Sequence, residues 1–205
     1  MGGPLEWSVE AARAISVLVE VRLRWGLIRH GQTLANRDGR LQGRGDAPLS
    51  PLGRAQAQAL RRLMMGWTGL CACSPAPRAA ATARIAGLEP LTVPALVERS
   101  LGAWEGRSGA SLRAAGEMVA LLSWEGRAPG GESQREVALR AVGWCAGIHG
   151  QDVLVISHAG VLRVLLGLLD GVPSDDIGVI KVPHGEVMWR EVGESRWATL
   201  LAQLR

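Results

Sequence analysis

Strand-like apolar runs alternate with helix-like runs along most of this chain, and the alternation restricts its fold more than any other feature. Strands are predicted near residues 22–28, 69–73, 91–94 and 152–157, and helices over 51–66, 77–87, 109–124, 133–148 and 160–169. In such an order each helix returns the chain to the start of the next strand, so neighbouring strands run parallel. The pattern predicts an α/β fold, a three-layer α/β/α sandwich with a mostly parallel central sheet.

Local signals support several of these elements. Ser50 can cap a helix whose first residue is Pro51, and both residue types are favoured at those positions. After Glu132, apolar side chains recur every three or four residues, which places them on one helix face against a sheet. Near the C-terminus, Val187–Val192 and Arg196–Leu201 flank a Gly-Glu-Ser sequence and predict a hairpin that completes the sheet.

The length and composition predict one globular domain. With 205 residues, of which 47% are hydrophobic, the chain can bury one core without a second domain. The first 21 residues stand apart from the alternating pattern, because Ser8–Val19 fits either a short helix or an extended segment. We therefore expect an N-terminal extension of unknown role at residues 1–21 and a single domain at residues 22–205.

The charge and the cysteines narrow the class of protein. The formal charge is +4, but Lys181 is the only lysine and the arginines are scattered, so we expect no nucleic-acid-binding surface. No run is long and apolar enough to span a membrane, and the N-terminus lacks the basic start of a secretory signal. Three cysteines without Cys-x-x-Cys spacing are expected to be buried apolar residues. These features predict a cytoplasmic protein with no nucleic-acid or membrane partner.

Histidine or arginine side chains follow three of the predicted strands. His30 follows the strand near 22–28, Arg78 the strand near 69–73 and His158 the strand near 152–157. The carboxyl ends of parallel strands line a crevice, and helix N-termini beside it bind anions. Arg29, Arg78 and His158 could therefore hold phosphoryl oxygens while His30 acts as the nucleophile. Each residue alone also fits a structural role, such as a loop histidine or a helix-start arginine, and spacing leaves both interpretations open.

Phosphoryl transfer to a nucleophile also needs a proton donor for the leaving oxygen. The acidic candidates are Glu98, Glu105, Glu132 and Asp46. We select Glu98 first and Glu105 second.

Six sequence motifs follow one another in an order that carries a resemblance. They lie within Leu27–Asn36, Leu41–Ala57, Ser74–Ala83, Glu98–Gly106, Gly130–Ser133 and Ser157–Gly160. Together they resemble the signature of the histidine phosphatase superfamily, whose members include cofactor-dependent phosphoglycerate mutases and many small-molecule phosphatases. Ala76, where the family commonly has leucine, and Leu101, where an aromatic residue is common, depart from the pattern. These departures concern the packing of the pocket rather than its chemistry.

The resemblance implies a phosphoglycerate mutase-like fold and a reaction through a phosphohistidine. His30 would attack phosphorus, and Glu98 would protonate the leaving alcohol and then take a proton from water. Arg29, Arg78 and His158 would stabilise the transferring oxygens, so neither a cofactor nor a metal ion is implied. The substrate- and phosphate-binding residues that it implies are Arg29, Asn36, Gln42, Gly43, Arg78, His158 and Ala159.

The resemblance favours a metal-independent phosphomonoesterase, a hydrolase of the histidine acid phosphatase type acting on a small phosphorylated metabolite. Gly102–Gly106 is similar to the phosphatase form of the proton-donor motif, and only a short helical stretch near 109–124 can cover the site. A phosphoglycerate mutase is the first alternative, and a catalytically silent binding or scaffold protein is the second. A homodimer stays open, as does a position of His184 at the rim of the pocket.

Overall fold

A five-stranded sheet lies at the centre of the protein in the computed structural model, which describes residues 20–205. The strands are β1 (Arg22–Arg29), β2 (Leu70–Cys73), β3 (Leu91–Thr92), β4 (Val153–Ser157) and β5 (Val187–Gly193). Their order is β3-β2-β4-β1-β5, and only β5 runs antiparallel to its neighbour. The predicted α/β class and mostly parallel sheet are confirmed. Most of the predicted N-terminal extension, residues 1–19, lies outside the described residues.

Nine α-helices accompany the sheet within residues 20–205. They are α1 (Leu34–Arg37), α2 (Pro51–Leu63), α3 (Pro77–Ile85), α4 (Gly109–Ala114), α5 (Met118–Leu122), α6 (Gln134–Cys145), α7 (Ala159–Leu169), α8 (Ser174–Ile177) and α9 (Arg196–Leu204). Short 3-10 turns cover Pro94–Leu96 and Gly102–Trp104. None of these α-helices combines the length and the apolar character that crossing a membrane requires.

The two faces of the sheet carry separate cores because alternate side chains of a strand point to opposite sides. In β4, Val153 and Val155 pack with helices α6, α7 and α9, whereas Leu154 and Ile156 pack with α2 and α3. All four of these side chains are fully buried. The alternation therefore produces the three layers that the sequence predicts.

Capping residues begin the long helices where the sequence places them. Ser50 Oγ accepts a hydrogen bond from the backbone N–H of Gly53 at 3.1 Å, and α2 starts at Pro51. At α6, Ser133 and Glu136 form a reciprocal capping box. Such caps pair backbone N–H groups that the helix itself leaves free. The three cysteines are free and buried, as expected.

The predicted C-terminal hairpin is wrong in its second arm. The strand β5 does pair antiparallel with β1, but the residues after the turn form the helix α9 rather than a strand. Trp197, Leu200 and Leu204 recur at three and four residues and are buried. Trp197 lies edge-on to Trp25 with ring centroids 5.1 Å apart. Burial of this helical face against β1 and α6 outweighs the turn-like signal of the preceding residues.

The helix predicted over residues 109–124 is also wrong as a single element. It is divided into α4 and α5. Gly116, between them, has a φ of +72°, a conformation that ends a helix and that glycine adopts without strain. Two short helices therefore stand where one was predicted. Leu121 and Leu122 of the second helix lie beside the crevice.

Candidate active site

The carboxyl ends of β1, β2 and β4 bring the predicted site residues into one crevice. His30 directly follows β1, and its backbone N–H donates to the carbonyl of Ser157 in β4 at 3.0 Å. His158 directly follows β4, and its ring centroid lies 5.1 Å from that of His30. Arg78 stands in the first turn of α3, which follows β2. Both histidines and Arg78 are at most 3% exposed.

The contacts of His30 determine which ring nitrogen can react. Nδ1 lies 2.8 Å from the carbonyl oxygen of Gly31, and because a carbonyl can only accept, Nδ1 carries the proton. Nε2 is then unprotonated, and it accepts a hydrogen bond from Arg78 Nε at 3.3 Å. Burial lowers the pKa of His30 well below 6.5, and the positive charge of Arg78 lowers it further. The ring is thus a neutral nucleophile with its lone pair on Nε2.

Arg78 is held rigidly from the opposite side. Its Nη1 donates to the carbonyl of Gly45 at 2.8 Å, and its Nη2 donates to the carbonyl of Gly43 at 2.9 Å. Nη1 also lies 3.3 Å from a carboxylate oxygen of Asp46. These bonds fix a full positive charge beside His30 Nε2, where a phosphoryl group would develop negative charge.

Arg29 and His158 keep unpaired nitrogens beside His30. Arg29 Nη1 donates to the carbonyl of Val182 at 2.8 Å, while its buried Nε has no partner among the described residues. Burial lowers the pKa of Arg29 to about 10, so it stays charged at neutral pH. His158 Nε2 lies 2.7 Å from Ser74 Oγ, and its buried Nδ1 likewise lacks a partner within residues 20–205. Both nitrogens are therefore available to hydrogen-bond a polar ligand.

Asn36 and Gln42 lie at the edge of the same crevice, as the resemblance implies. Asn36 Oδ1 accepts from the backbone N–H of Thr33 at 3.1 Å. His184 Nε2, 3.0 Å away, donates to the same oxygen, which fixes the orientation of the Asn36 amide, and its NH₂ group has no hydrogen-bond partner among residues 20–205. Gln42 Oε1 accepts from Thr33 Oγ1 at 2.7 Å, and its buried Nε2 has no partner in the described part of the chain. His184 therefore does reach the site, through Asn36.

The four candidate acids are separated by their contacts. Glu105 accepts from the backbone N–H groups of Arg44 and Leu101 and does not line the cavity. Glu132 pairs with Arg140 and Arg44, and Asp46 pairs with Arg78 outside the cavity. Glu98 alone of the four lines the cavity. It accepts from the backbone N–H of Arg99 at 2.8 Å and from that of Gly160 at 3.4 Å.

The cavity encloses about 250 Å³, which suits a small substrate. Eight of the sequence-predicted site residues line it: Arg29, His30, Asn36, Gln42, Gly43, Arg78, Glu98 and Ala159. His158 is fully buried and is not part of the cavity lining, and its ring lies next to that of His30.

Several lining residues were not predicted from the sequence. These are Arg40, Leu41, Arg99, Leu101, Leu121, Leu122, Gln134, Gly160 and Arg163. Arg99 directly follows Glu98 in the sequence, and it is 4% exposed and donates to three backbone carbonyls. The helical spacing of Arg163, four residues after Ala159, is the one signal that places it on the face of α7 toward the site.

Comparisons with known proteins agree with this geometry. A family model described as "Histidine phosphatase superfamily (branch 1)" matches residues 26–204. The chain is similar to an adenosylcobalamin/alpha-ribazole phosphatase of Escherichia coli K12, with 33% identity over 87% of this chain and 94% of that protein. It is also similar to a 2,3-bisphosphoglycerate-dependent phosphoglycerate mutase 2 of Gloeobacter violaceus, with 30% identity over 77% of this chain and 80% of that protein.

A solved structure extends the comparison to three dimensions. The structure of mycobacterial glucosyl-3-phosphoglycerate phosphatase with VO3 superposes with a TM-score of 0.71 and 28% identity, covering 84% of this chain and 98% of that one. The chain belongs to the histidine phosphatase superfamily.

Proposed function

We propose that this histidine phosphatase hydrolyses the phosphate monoester of a small metabolite through a phosphohistidine formed on His30. The observation that carries the proposal is the fixed tautomer of His30, whose Nδ1 donates to Gly31 and whose unprotonated Nε2 lies 3.3 Å from Arg78 Nε. A catalytically silent binding protein would not require a nucleophile, two arginines and an acid to converge on one cavity.

In the first half-reaction, His30 Nε2 attacks phosphorus and forms a P–N bond while the P–O bond to the leaving alcohol breaks. Arg78, Arg29 and His158 donate to the three oxygens that gain negative charge, and the free NH₂ group of Asn36 adds a further donor. Glu98 gives its proton to the leaving oxygen, so the product is a neutral alcohol and Glu98 becomes a carboxylate.

In the second half-reaction, a water molecule takes the place of the alcohol. Glu98, now a carboxylate, accepts a proton from this water as its oxygen attacks phosphorus. The P–N bond breaks, the lone pair returns to His30 Nε2, and phosphate leaves with Glu98 protonated again. Positive charge comes from side chains at each step, so we propose that no metal ion takes part.

The narrower assignment, to the acid phosphatase type, is also part of the proposal. Support comes from the lowered pKa of His30, which keeps the nucleophile neutral in mild acid. We propose the reducing cytoplasm as the compartment, because all three cysteines are buried as free thiols.

The experiment is a panel of phosphate esters assayed with EDTA present, on the wild-type protein and His30→Ala. We expect the variant to lose turnover by on the order of 10⁴-fold or more, together with all acid-labile phosphoprotein. His149→Ala is the matched control, because His149 is exposed and lies away from the cavity. It should retain wild-type turnover.

The remaining outcomes separate the alternatives. Interconversion of 2- and 3-phosphoglycerate with little phosphate release would replace the phosphatase by a mutase. Absence of phosphoenzyme and turnover with every ester would support a silent binding protein, and turnover that requires a divalent ion would overturn the metal-independent mechanism.

A further inference from the structure

Arg163 lies in the wall of the cavity beyond the phosphoryl site. It stands on α7, one helical turn after Ala159 and Gly160, which also line the cavity. Glu98 accepts from the N–H of Gly160 at the start of the same helix. Since Glu98 is the proposed proton donor to the leaving oxygen, the side chain of Arg163 is on the leaving-group side of the site.

The hydrogen bonds of Arg163 are incomplete, unlike those of Arg78 and Arg99. Its Nε donates to the carbonyl of Ile180 at 2.9 Å, but within residues 20–205 its two terminal nitrogens have no hydrogen-bond partner and it forms no ion pair. By contrast, all three side-chain nitrogens of Arg99 donate to backbone carbonyls, and all three of Arg78 are bonded.

Arg163 is a half-buried cation that forms no ion pair within the described residues, so a bound group that adds negative charge would stabilise it further. Burial lowers the pKa of Arg163, whereas the negative charge of Glu98 raises it. The fixed Nε bond leaves the outer edge of the guanidinium, with Nη1 and Nη2, available to the cavity. That edge matches a planar carboxylate through two parallel hydrogen bonds.

We propose that Arg163 binds a carboxylate on the leaving group, so that the preferred substrates are phosphate esters of hydroxy acids. This inference rests on the proposed phosphatase activity. The cavity of about 250 Å³ holds such a small anionic ester, and Leu121 and Leu122, which also line it, offer the rest of the leaving group an apolar surface.

The test compares two esters that differ mainly at this group, 3-phosphoglycerate and glycerol 3-phosphate, on the wild-type protein and Arg163→Met. Methionine keeps the apolar stem and removes the charge. We expect the wild-type protein to prefer 3-phosphoglycerate, and the variant to lose about 10- to 100-fold in kcat/KM for that ester alone. Turnover of glycerol 3-phosphate should change by less than about twofold. Arg61→Met, on the exposed face of α2, is the matched control.

The outcomes distinguish this inference from the proposed function. If the wild-type protein hydrolyses both esters equally, or if the variant loses activity on both esters to the same extent, Arg163 does not bind a carboxylate. The phosphatase proposal would still stand. Failure of p-nitrophenyl phosphate and all other esters would instead remove the phosphatase proposal itself. Restoration of the preference by Arg163→Lys, which returns the charge, would confirm the role of the positive group.

Discussion

The floor and the roof of the cavity are built in different ways. The floor consists of Arg29, His30 and Arg78, with His158 buried directly beside His30, and these residues stand at the strand ends or in the helix turn that follows one. The roof consists of Leu121 and Leu122 in α5, held from below by the side chains of Arg99 and Gln134. Arg99 Nη1 donates to the carbonyl of Leu121 at 2.8 Å, and Gln134 Nε2 donates to that of Leu122 at 2.6 Å.

This difference in construction indicates that the floor and the roof have separate roles. The position of the floor follows from the sheet, because backbone bonds such as His30 N–H to Ser157 O fix each strand end to its neighbour. The roof has no sheet beneath it and depends on single side chains that satisfy its carbonyls. We therefore expect substitutions in the floor to change chemistry, and substitutions under the roof to change substrate binding and stability.

The largest difference between the two regions should come from Arg78→Met. The change removes the donor beside His30 Nε2 and leaves the carbonyls of Gly43 and Gly45 without partners. We expect kcat to fall by about 10²–10³-fold, because transition-state charge loses a preorganised donor. The check is steady-state kinetics with p-nitrophenyl phosphate, and Arg84→Met, an exposed position on the same helix, is the control. A change in KM with kcat unchanged would contradict the separate roles of the floor and the roof.

A smaller and different effect is expected from Arg99→Met under the roof. Three backbone carbonyls, those of Leu121, Gly126 and Glu132, lose their donor. We expect the free energy of unfolding to fall by about 3 kcal/mol and KM to rise about tenfold, with kcat nearly unchanged. Denaturant unfolding and kinetics measure both.

Arg113→Met serves as the control for Arg99→Met, since Arg113 is exposed on the neighbouring helix α4. If kcat falls in Arg99→Met as far as in Arg78→Met, the roof takes part in the chemistry and the two regions are not distinct.

The same division explains what the sequence could predict. The floor residues lie at the end of an apolar strand or in the helix turn that follows one, so strand periodicity and the motif order locate them in the sequence. The roof depends on long-range bonds, such as Arg99 to Gly126 and Gln134 to Leu122, that leave no periodic signal. The burial of Arg99 could not be predicted for this reason, because its partners are carbonyls distant in sequence. The last helix, α9, was predicted as a strand because the turn-like residues before it favoured a hairpin and its apolar face is short.

The last prediction concerns the protonation of the floor. Burial, and then the charge of Arg78, lower the pKa of His30, so the neutral form should persist as the pH falls below 6.5. At pH 5.5 an ordinary histidine is about nine-tenths protonated, whereas His30 should keep its neutral Nδ1–H tautomer. Nitrogen chemical shifts, assigned by comparison with His30→Ala, measure this directly, and an imidazolium signal from His30 at pH 5.5 would refute it.

The lowered histidine pKa values also make the free energy of unfolding depend on pH. His30 and His158 both have lowered pKa values in the folded protein. Below about pH 6.5 these two histidines therefore bind protons in the unfolded chain but not in the folded protein. The stability from these two groups is therefore complete above that pH and falls as the pH decreases. Thermal unfolding between pH 7.5 and pH 5 should show a decreasing Tm. His149→Ala should leave that slope in place, whereas His158→Gln, which has no ring to protonate, should reduce it.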